Sequence, residues 1–294
     1  MGFAGLARPA NLPTAAADIL AGIAIILYLK DIVVVNFMSG HCGNVLSLVF
    51  SSIALYAGGV VFNDVFDADL DAVERPERAI PSGLVPKKEA IYFGTILMLI
   101  GITLAFKTTV LSGLISIALT VAILTYDGYF KQFGFAGPLN MGICRGLNLL
   151  MGMSILGSLT HWYISLVPVV YIFAITLISR GEVHGDNKKH IVWAGILYAI
   201  VILSITLIVM QQKDNLLVLL PFILMFGFLI YSPLIKAYKV NSPKNIKKAV
   251  MGGVLSLIVM NACWVAGFSN WYLALAVLLL LPLSMLLSKL FAVT

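Results

Sequence analysis

Residues 45–71 read VLSLVFSSIALYAGGVVFNDVFDADLD, an apolar run long enough to span a membrane that ends in a cluster of acids. Ionisable groups are costly at a bilayer edge, so such a concentration of carboxylates there indicates a function. If the helix continues past Phe66, Asn63, Asp67 and Asp71 share one face at i, i+4 spacing, with Asp64 beside Asp67. Oxygen ligands on one face suit Mg²⁺, which commonly completes its shell with phosphate oxygens. The stretch therefore predicts a diphosphate-binding site at a membrane surface.

The composition of the whole chain is that of a membrane protein. Of its 294 residues, 61% are hydrophobic and 11% are charged, and the mean hydropathy is +1.02. A soluble domain carries about 25% charged residues. Mostly apolar windows of spanning length recur along the chain, which predicts an all-α fold, a polytopic transmembrane bundle of nine or ten helices. We interpret residues 1–294 as a single transmembrane domain with predicted spans at 15–35, 44–66, 88–106, 109–126, 137–158, 162–179, 191–210, 215–235, 245–267 and 271–291.

The distribution of Lys and Arg predicts the orientation of these spans. Fifteen of the nineteen basic residues fall on the side of the amino terminus, whereas only Lys30, Lys107 and Lys213 fall on the other side and Arg145 lies within a span. The positive-inside rule places the amino terminus and the acidic cluster in the cytoplasm. Attraction to anionic lipid on that face accounts for the net charge of +6, so no nucleic acid partner is expected.

A second acidic cluster follows the sixth predicted span. Residues 179–189 read SRGEVHGDNKK, with Glu182 and Asp186 again at i, i+4 spacing. The clusters follow spans 2 and 6, and four intervening spans return the chain to the same side of the membrane. Facing clusters there predict two or more Mg²⁺ ions around one diphosphate. His184, between the two acids, is interpreted as a solvated or hydrogen-bonded loop residue in preference to a base.

The order of several short motifs along the chain is informative. Asn63, Asp64, Asp67 and Asp71 match the pattern NDxxDxxxD, and residues 74–83 read ERPERAIPSG. Residues 8–11 read RPAN, and Tyr126, Asp127 and Lys131 follow the fourth span. With the acids of residues 182–186, this ordered set resembles the UbiA superfamily of intramembrane prenyltransferases, in particular its EboC-like branch.

The resemblance implies a UbiA-like fold and a Mg²⁺-dependent transfer of an isoprenyl group. The donor would be an isoprenyl diphosphate in the lipid bilayer, and the acceptor a small aromatic molecule, with diphosphate released. Two residues depart from the family pattern. Glu182 replaces an Asp and lengthens the ligand arm, and Asn187 stands where the family often has Arg or Lys. The ten predicted spans also exceed the family's usual nine.

The expected site residues have three roles. Carboxylates and an amide would hold the metal, and Arg and Lys would share the charge of the leaving group. Tyr126 would hydrogen-bond the diphosphate or shield the allylic cation. The expected metal ligands are Asn63, Asp64, Asp67, Asp71, Glu182 and Asp186; the expected catalytic residues are Asp64, Asp67, Asp186, Lys131 and Tyr126; and the expected substrate-binding residues are Arg75, Arg78, Lys188, Lys189, Arg145, Asn148 and Asn11.

Arg145 is the most informative residue for the acceptor. A charge within a span should face the interior and find an anionic partner. That partner could be an acceptor carboxylate, Asp18 or a motif acid.

Two other functions compete with prenyl transfer. A membrane terpene cyclase would ionise the same diphosphate without an acceptor, in a chamber lined only by aromatic and aliphatic groups. A transporter or scaffold would bind a divalent cation without chemistry, but transport sites usually lie near the bilayer midplane.

Overall fold

A computed structural model describes residues 2–182, 185–211 and 215–291 of the chain. His184 and Lys213 therefore lie outside the described residues. Within those ranges the chain is helical, with short 3₁₀ turns at Pro9–Asn11, Phe130–Gln132, Ser154–Leu156 and Trp162–Ser165. The α-helices are α1 (Gly2–Leu6), α2 (Leu12–Leu29), α3 (Val34–Phe66), α4 (Ala68–Glu74), α5 (Lys87–Thr108), α6 (Val110–Gly128), α7 (Ala136–Met153), α8 (Leu166–Ser179), α9 (Lys188–Met210), α10 (Leu216–Lys239), α11 (Pro243–Phe268), α12 (Trp271–Leu278) and α13 (Leu280–Leu290).

Ten helical segments of the described chain are long and apolar enough to cross a membrane. This confirms the predicted all-α bundle, and the protein is an integral, multi-pass membrane protein. The tenth span combines α12 and α13, over Trp271–Leu290. The interpretation of residues 1–294 as one domain stays a prediction.

The first two spans differ from their predicted bounds. The chain leaves α2 through a turn at Asp31, whose φ is 54°, so this span ends six residues before the predicted residue 35. Helix α3 begins at Val34 instead of 44, because the polar residues before Val45 continue the helix through a kink at His41 (φ −126°, ψ 17°). The His41 ring stacks on Phe37 at a centroid distance of 4.5 Å.

Nine of the described spans form a closed ring in which neighbours in sequence are neighbours in space. The order is α2, α3, α5, α6, α7, α8, α9, α10 and α11, and α11 returns to pack on α2. The tenth span, α12–α13, lies outside this ring against α11, α2 and the turn at Pro9–Asn11. Ser284 of α13 donates a hydrogen bond to the carbonyl of Ala10 at 2.6 Å. The additional segment is therefore a peripheral helix pair.

Helices α2 and α7 approach closely inside the ring because each has glycine at the contact. A Cβ atom at Gly22 would lie 2.4 Å from the carbonyl oxygen of Leu149, and one at Gly152 would lie 2.6 Å from that of Ile19. Small residues permit such backbone contact between membrane helices. The contact places the buried faces of α2 and α7 beside each other, and both faces carry polar residues of the site described below.

We expect Gly22→Ala to lower the unfolding temperature in detergent, because the new methyl group meets a backbone oxygen that cannot rotate away. Overpacking of this kind costs about 1–3 kcal/mol. Gly43→Ala is the matched control: Gly43 is also helical, and a Cβ atom added there would meet nothing within 4 Å. Thermal unfolding followed by circular dichroism would measure both. Equal stability of the two variants would contradict close packing of α2 on α7.

Candidate active site

The first acidic motif lies where α3 passes into α4. Asn63 and Asp64 occupy the last turn of α3, Asp67 stands between the helices, and Asp71 lies in α4. The backbone N–H of Asp67 donates to the carbonyl of Asn63 at 3.0 Å, and that of Asp71 donates to Asp67 at 2.8 Å. Helical i→i−4 bonding thus continues through the junction. Asn63, Asp67 and Asp71 therefore follow one another at successive helical turns.

Each of the three motif acids is paired with a basic side chain from elsewhere in the chain. Arg8 contacts Asp64 at 2.5 Å, and Lys131 contacts Asp67. Arg78 bridges two acids, with its Nη1 2.6 Å from Asp71 and 3.6 Å from Asp64. The cations come from before α2, from the loop after α4 and from the turn after α6. The fold therefore concentrates both signs of charge at this end of the bundle.

Asn63 has a partner that the sequence did not single out as a site residue. Its Nδ2 donates to the carboxylate of Asp127 at 2.9 Å, and Asp127 is buried at the end of α6. Because the amide nitrogen is used by Asp127, the Oδ1 atom of Asn63 is the one left for a cation. Asp127 was visible only as part of the Tyr126 to Lys131 resemblance, since its contact with Asn63 joins residues 64 positions apart.

The second acidic motif is only partly described. Glu182 is half-buried, and Asp186 is exposed with φ 51°. Burial raises the pKa of Glu182, while the nearby charges of Lys247 and Arg75 act to lower it. Arg75 is the residue that follows α4, so Glu182 lies close enough to the end of the first motif to feel its charge.

The residues after Asp186 have contacts of their own. Asn187 is buried, and its Nδ2 donates to the carbonyls of Leu177 and Ile178 at 3.2 and 2.9 Å. It thereby satisfies the carboxyl end of α8, a structural role that a basic residue at this position would not fill. The Nζ of Lys188 lies 5.8 Å from the ring centroid of Tyr238. In the described parts of the chain, Lys188 and Lys189 form no ion pair with a motif acid.

A cavity of about 360 Å³ opens beside the first motif. Arg8, Asn11 and Asn63 line it together with Tyr126 and Asp127. The wall also includes aliphatic side chains, which are Ala15, Val60, Leu119, Ile123, Ile172, Val254 and Leu257. The cavity therefore offers charged and polar groups for a headgroup and apolar surface for a hydrocarbon chain.

A buried polar network forms another part of the cavity wall and the layer behind it. The Nε of Arg145 lies 2.8 Å from Oδ2 of Asp18. Asn148 donates to the same oxygen at 2.9 Å, and Asn261 donates to Oδ1 of Asp18 at 2.7 Å. Ser52 donates to Oδ1 of Asn148 at 2.7 Å. Of the three partners considered for Arg145, the structure places Asp18 against it. Asn261 and Ser52 were missed, because they lie far from α7 in sequence.

Comparison with known proteins identifies the family. The model of the UbiA prenyltransferase family matches residues 19–232, more than half of the chain. The chain belongs to the UbiA prenyltransferase family. Assignment to the EboC-like branch stays a prediction.

Individual members of the UbiA family agree with this result. The digeranylgeranylglyceryl phosphate synthase of Methanococcoides burtonii is 37% identical over 112 residues, which cover 38% of this chain and 40% of that protein. The matched segment thus spans less than half of the relative. A solved structure described as digeranylgeranylglyceryl phosphate synthase in membranes has a TM-score of 0.68 at 19% identity, covering 91% of this chain and 97% of its own. A UbiA homolog from Archaeoglobus fulgidus bound to GPP and Mg²⁺ has a TM-score of 0.66 at 14% identity, and the match covers 90% of this chain and 99% of that structure. These likenesses confirm the UbiA-like fold.

Proposed function

We propose that the protein transfers an isoprenyl group from an isoprenyl diphosphate to a glyceryl phosphate lipid, with Mg²⁺ and with release of diphosphate. The observation that carries the proposal is the junction of α3 and α4. There, three carboxylates and three cations converge beside a cavity that is otherwise largely apolar. A diphosphate attached to a hydrocarbon chain needs both surfaces side by side.

The oxygen donors of the site suit Mg²⁺ held jointly by protein and substrate. In the described residues, no three His, Cys, Asp or Glu side chains are close enough to hold a metal by themselves. Mg²⁺ usually binds through one or two carboxylates together with substrate phosphates, so these residues fit a shared site. The proposed ligands are Asn63, Asp64, Asp67, Asp71, Glu182 and Asp186. When bound, Mg²⁺ would stabilise the charge that develops on the leaving diphosphate.

The basic residues are proposed to exchange partners when the donor binds. Arg8, Arg78 and Lys131 now neutralise the motif acids. With Mg²⁺ on the carboxylates, the same cations are free to donate hydrogen bonds to phosphate oxygens. Arg75, Lys188 and Lys189 are further candidates for binding the diphosphate. The ion pairs thus keep the acids neutralised until the donor arrives.

Transfer of the isoprenyl group to the acceptor is proposed to take place in the cavity, away from water. The allylic C–O bond to diphosphate breaks, and a hydroxyl oxygen of the acceptor forms a new C–O bond to the same carbon. The hydroxyl proton passes to the departing diphosphate, which is a basic anion. Tyr126 lines the cavity and can shield the cationic carbon with its ring face. Exclusion of water prevents capture of the prenyl cation as an alcohol.

The proposed acceptor differs from the aromatic molecule expected from the sequence. The name of the M. burtonii relative describes a glyceryl phosphate carrying two geranylgeranyl groups. We therefore propose a glyceryl phosphate lipid as the acceptor. The polar network of Asp18, Arg145 and Asn148 favours transfer over cyclisation, because a cyclase chamber needs no such groups.

The proposed orientation places the amino terminus and the active site on the cytoplasmic side. The basic residues of the site lie at the same end as the motif acids, as the positive-inside rule predicts for that face. Protease accessibility of a tag added before α1 in inside-out vesicles would test this orientation.

A product screen with purified protein tests the function. Dimethylallyl, geranyl and geranylgeranyl diphosphate would each be offered with a glyceryl phosphate lipid, with 4-hydroxybenzoate or with no acceptor, and products would be identified by mass spectrometry. We expect prenylated glyceryl phosphate and stoichiometric diphosphate only with Mg²⁺, and none with EDTA. A cyclised hydrocarbon formed without acceptor, or prenylation of 4-hydroxybenzoate alone, would overturn the proposed reaction.

A further inference from the structure

The guanidinium of Arg145 is held in place without having its hydrogen bonds satisfied. Only 8% of its side chain is exposed, although the residue lies in a membrane span. Its Nε and Nη2 are buried and have no hydrogen-bond partner among the described residues. The contact between Nε and Asp18 at 2.8 Å is an ion pair whose geometry does not align the N–H with the carboxylate oxygen. Unmade hydrogen bonds of a buried charged group cost about 1–3 kcal/mol or more.

Each oxygen of Asp18 already accepts a hydrogen bond from another residue, and the carboxylate is not aligned with the Arg145 donors. Asn148 donates to Oδ2 and Asn261 donates to Oδ1. Ser52 in turn donates to Asn148, which fixes that amide. The network therefore orients the carboxylate towards the two amides and leaves Arg145 with charge compensation only. The third guanidinium nitrogen, Nη1, also has no hydrogen-bond partner among the described residues and is not fully buried, so it is the donor that a ligand oxygen in the cavity can reach.

Arg145 borders the same cavity as the donor site. Tyr56 and Asn148 border it too, and the Cζ atom of Arg145 lies 6.0 Å from the centroid of the Tyr56 ring. A ligand in the cavity would thus meet Arg145 and Tyr56 together, while the charged groups of the first motif hold the diphosphate.

The net charge of the network decides which kind of oxygen suits it. Asp18 and Arg145 together carry no net charge. An anionic group bound there would add an uncompensated charge inside a membrane span, which is strongly unfavourable. An uncharged hydroxyl, ether or carbonyl oxygen accepts the hydrogen bond without that cost.

We propose that Arg145, held by Asp18, binds an uncharged oxygen of the acceptor and so disfavours acceptors that place a carboxylate or phosphate at this depth. The inference rests on the proposed function and adds the chemistry by which the acceptor is recognised. A glyceryl phosphate lipid fits if its hydroxyl or ether oxygen meets Arg145 and its phosphate remains at the basic mouth near Arg8. Asp18, Asn148 and Asn261 are positioning residues in this account.

Kinetics of two variants test the role of Arg145. Arg145→Lys keeps the charge pair with Asp18 and loses the planar set of donors. The double variant Asp18→Asn with Arg145→Gln removes both charges together, so that no buried charge is left alone. We expect the apparent KM for the glyceryl phosphate lipid to rise about 10- to 100-fold in both variants. This is the effect of losing one hydrogen bond to a charged donor. The KM for geranylgeranyl diphosphate should change much less, because its diphosphate is held by the charged groups of the first motif and not by Arg145.

Ser116→Ala is the matched control, since Ser116 is a buried hydroxyl of α6 that donates to Gly113 and lies outside the cavity wall. Its KM values should equal those of the original protein. Unchanged acceptor KM in both network variants would overturn the role of Arg145. A lack of turnover with any acceptor in the original protein would instead refute the proposed function, so the two failures are distinguishable.

Competition between matched inhibitors tests the preference for an uncharged oxygen. Hexadecanamide and hexadecanoate have the same chain and differ in the charge of the head. We expect the amide to compete with the acceptor at least about tenfold more strongly, because burial of the unpaired carboxylate is costly. The amide should compete less strongly in the double variant, because its hydrogen bond to Arg145 is lost. Inhibition by the carboxylate equal to or stronger than that by the amide would overturn the assignment of an uncharged oxygen.

Discussion

Asp67→Asn is expected to lower turnover by at least about 10²-fold while the protein remains folded, because removal of one group that stabilises transition-state charge costs about 10²- to 10³-fold in kcat. The substitution keeps the shape of the side chain and removes the negative charge that would hold a cation beside the diphosphate. Asp67 is only partly buried and its partner Lys131 is partly exposed, so the loss of their ion pair should cost about 1 kcal/mol or less.

Asp69→Asn is the control for this prediction. Asp69 lies two residues further along the same segment, and its side chain is 98% exposed, with only Lys87 nearby at 3.8 Å. It carries the same charge outside the expected ligand set, so its turnover should stay close to that of the original protein. Diphosphate release and thermal unfolding would be measured on both variants. Equal losses of activity in the two, or full activity of Asp67→Asn, would contradict the role of the motif in catalysis.

Asp18→Asn is expected to destabilise the protein by about 3–5 kcal/mol, because it leaves Arg145 as a buried charge without compensation. The amide also presents an N–H₂ group where Asn148 or Asn261 now donates, which adds a clash of donors. Adding Arg145→Gln should recover most of the lost stability, since the pair of charges is then removed together. The single variant should therefore be less stable than the double variant.

This order of stabilities is the test, because an independent contribution of each residue would make the double variant the least stable. Chemical denaturation in detergent micelles, followed by tryptophan fluorescence, would provide the comparison for the original protein, both single variants and the double variant. Asn215→Ala serves as a comparison outside the network, since Asn215 is only partly buried and donates one hydrogen bond to the carbonyl of Gly267.

The spans could be predicted from the sequence because burial in lipid demands long apolar helices whatever their neighbours are. The predicted bounds are less accurate where polar residues continue a helix. The polarity of residues 34–43 argues against their belonging to the second span, yet the kink at His41 allows them to extend α3. The prediction of nine or ten spans agrees with the ten apolar helical segments of the described residues. The place of the last span outside the ring depends on packing against α11 and on the contact of Ser284 with Ala10.

In the candidate site, too, some features could be predicted from the sequence and others depend on packing. The acids at residues 63–71 could be proposed from type and spacing alone, and the cations Arg78 and Lys131 from the resemblance to the UbiA superfamily, but Arg8 was not among the expected site residues. Their pairing could not be predicted, because sequence spacing does not tell which of several carboxylates Arg8, Arg78 or Lys131 will meet. Asp127 was missed as a partner of Asn63 for a similar reason.

The sequence by itself determined that this chain crosses the membrane many times and carries oxygen donors for a cation at one surface. Those properties follow from residue types and local spacing, which hydrophobicity and helical geometry fix. Only the tertiary structure decided which charges meet. It set Asp18 of α2 against Arg145 of α7, a residue that borders the cavity, and left two of its guanidinium nitrogens without hydrogen-bond partners among the described residues. Such pairings depend on how helices close into a ring, and the energy of a buried charge depends on that environment rather than on its neighbours in the chain.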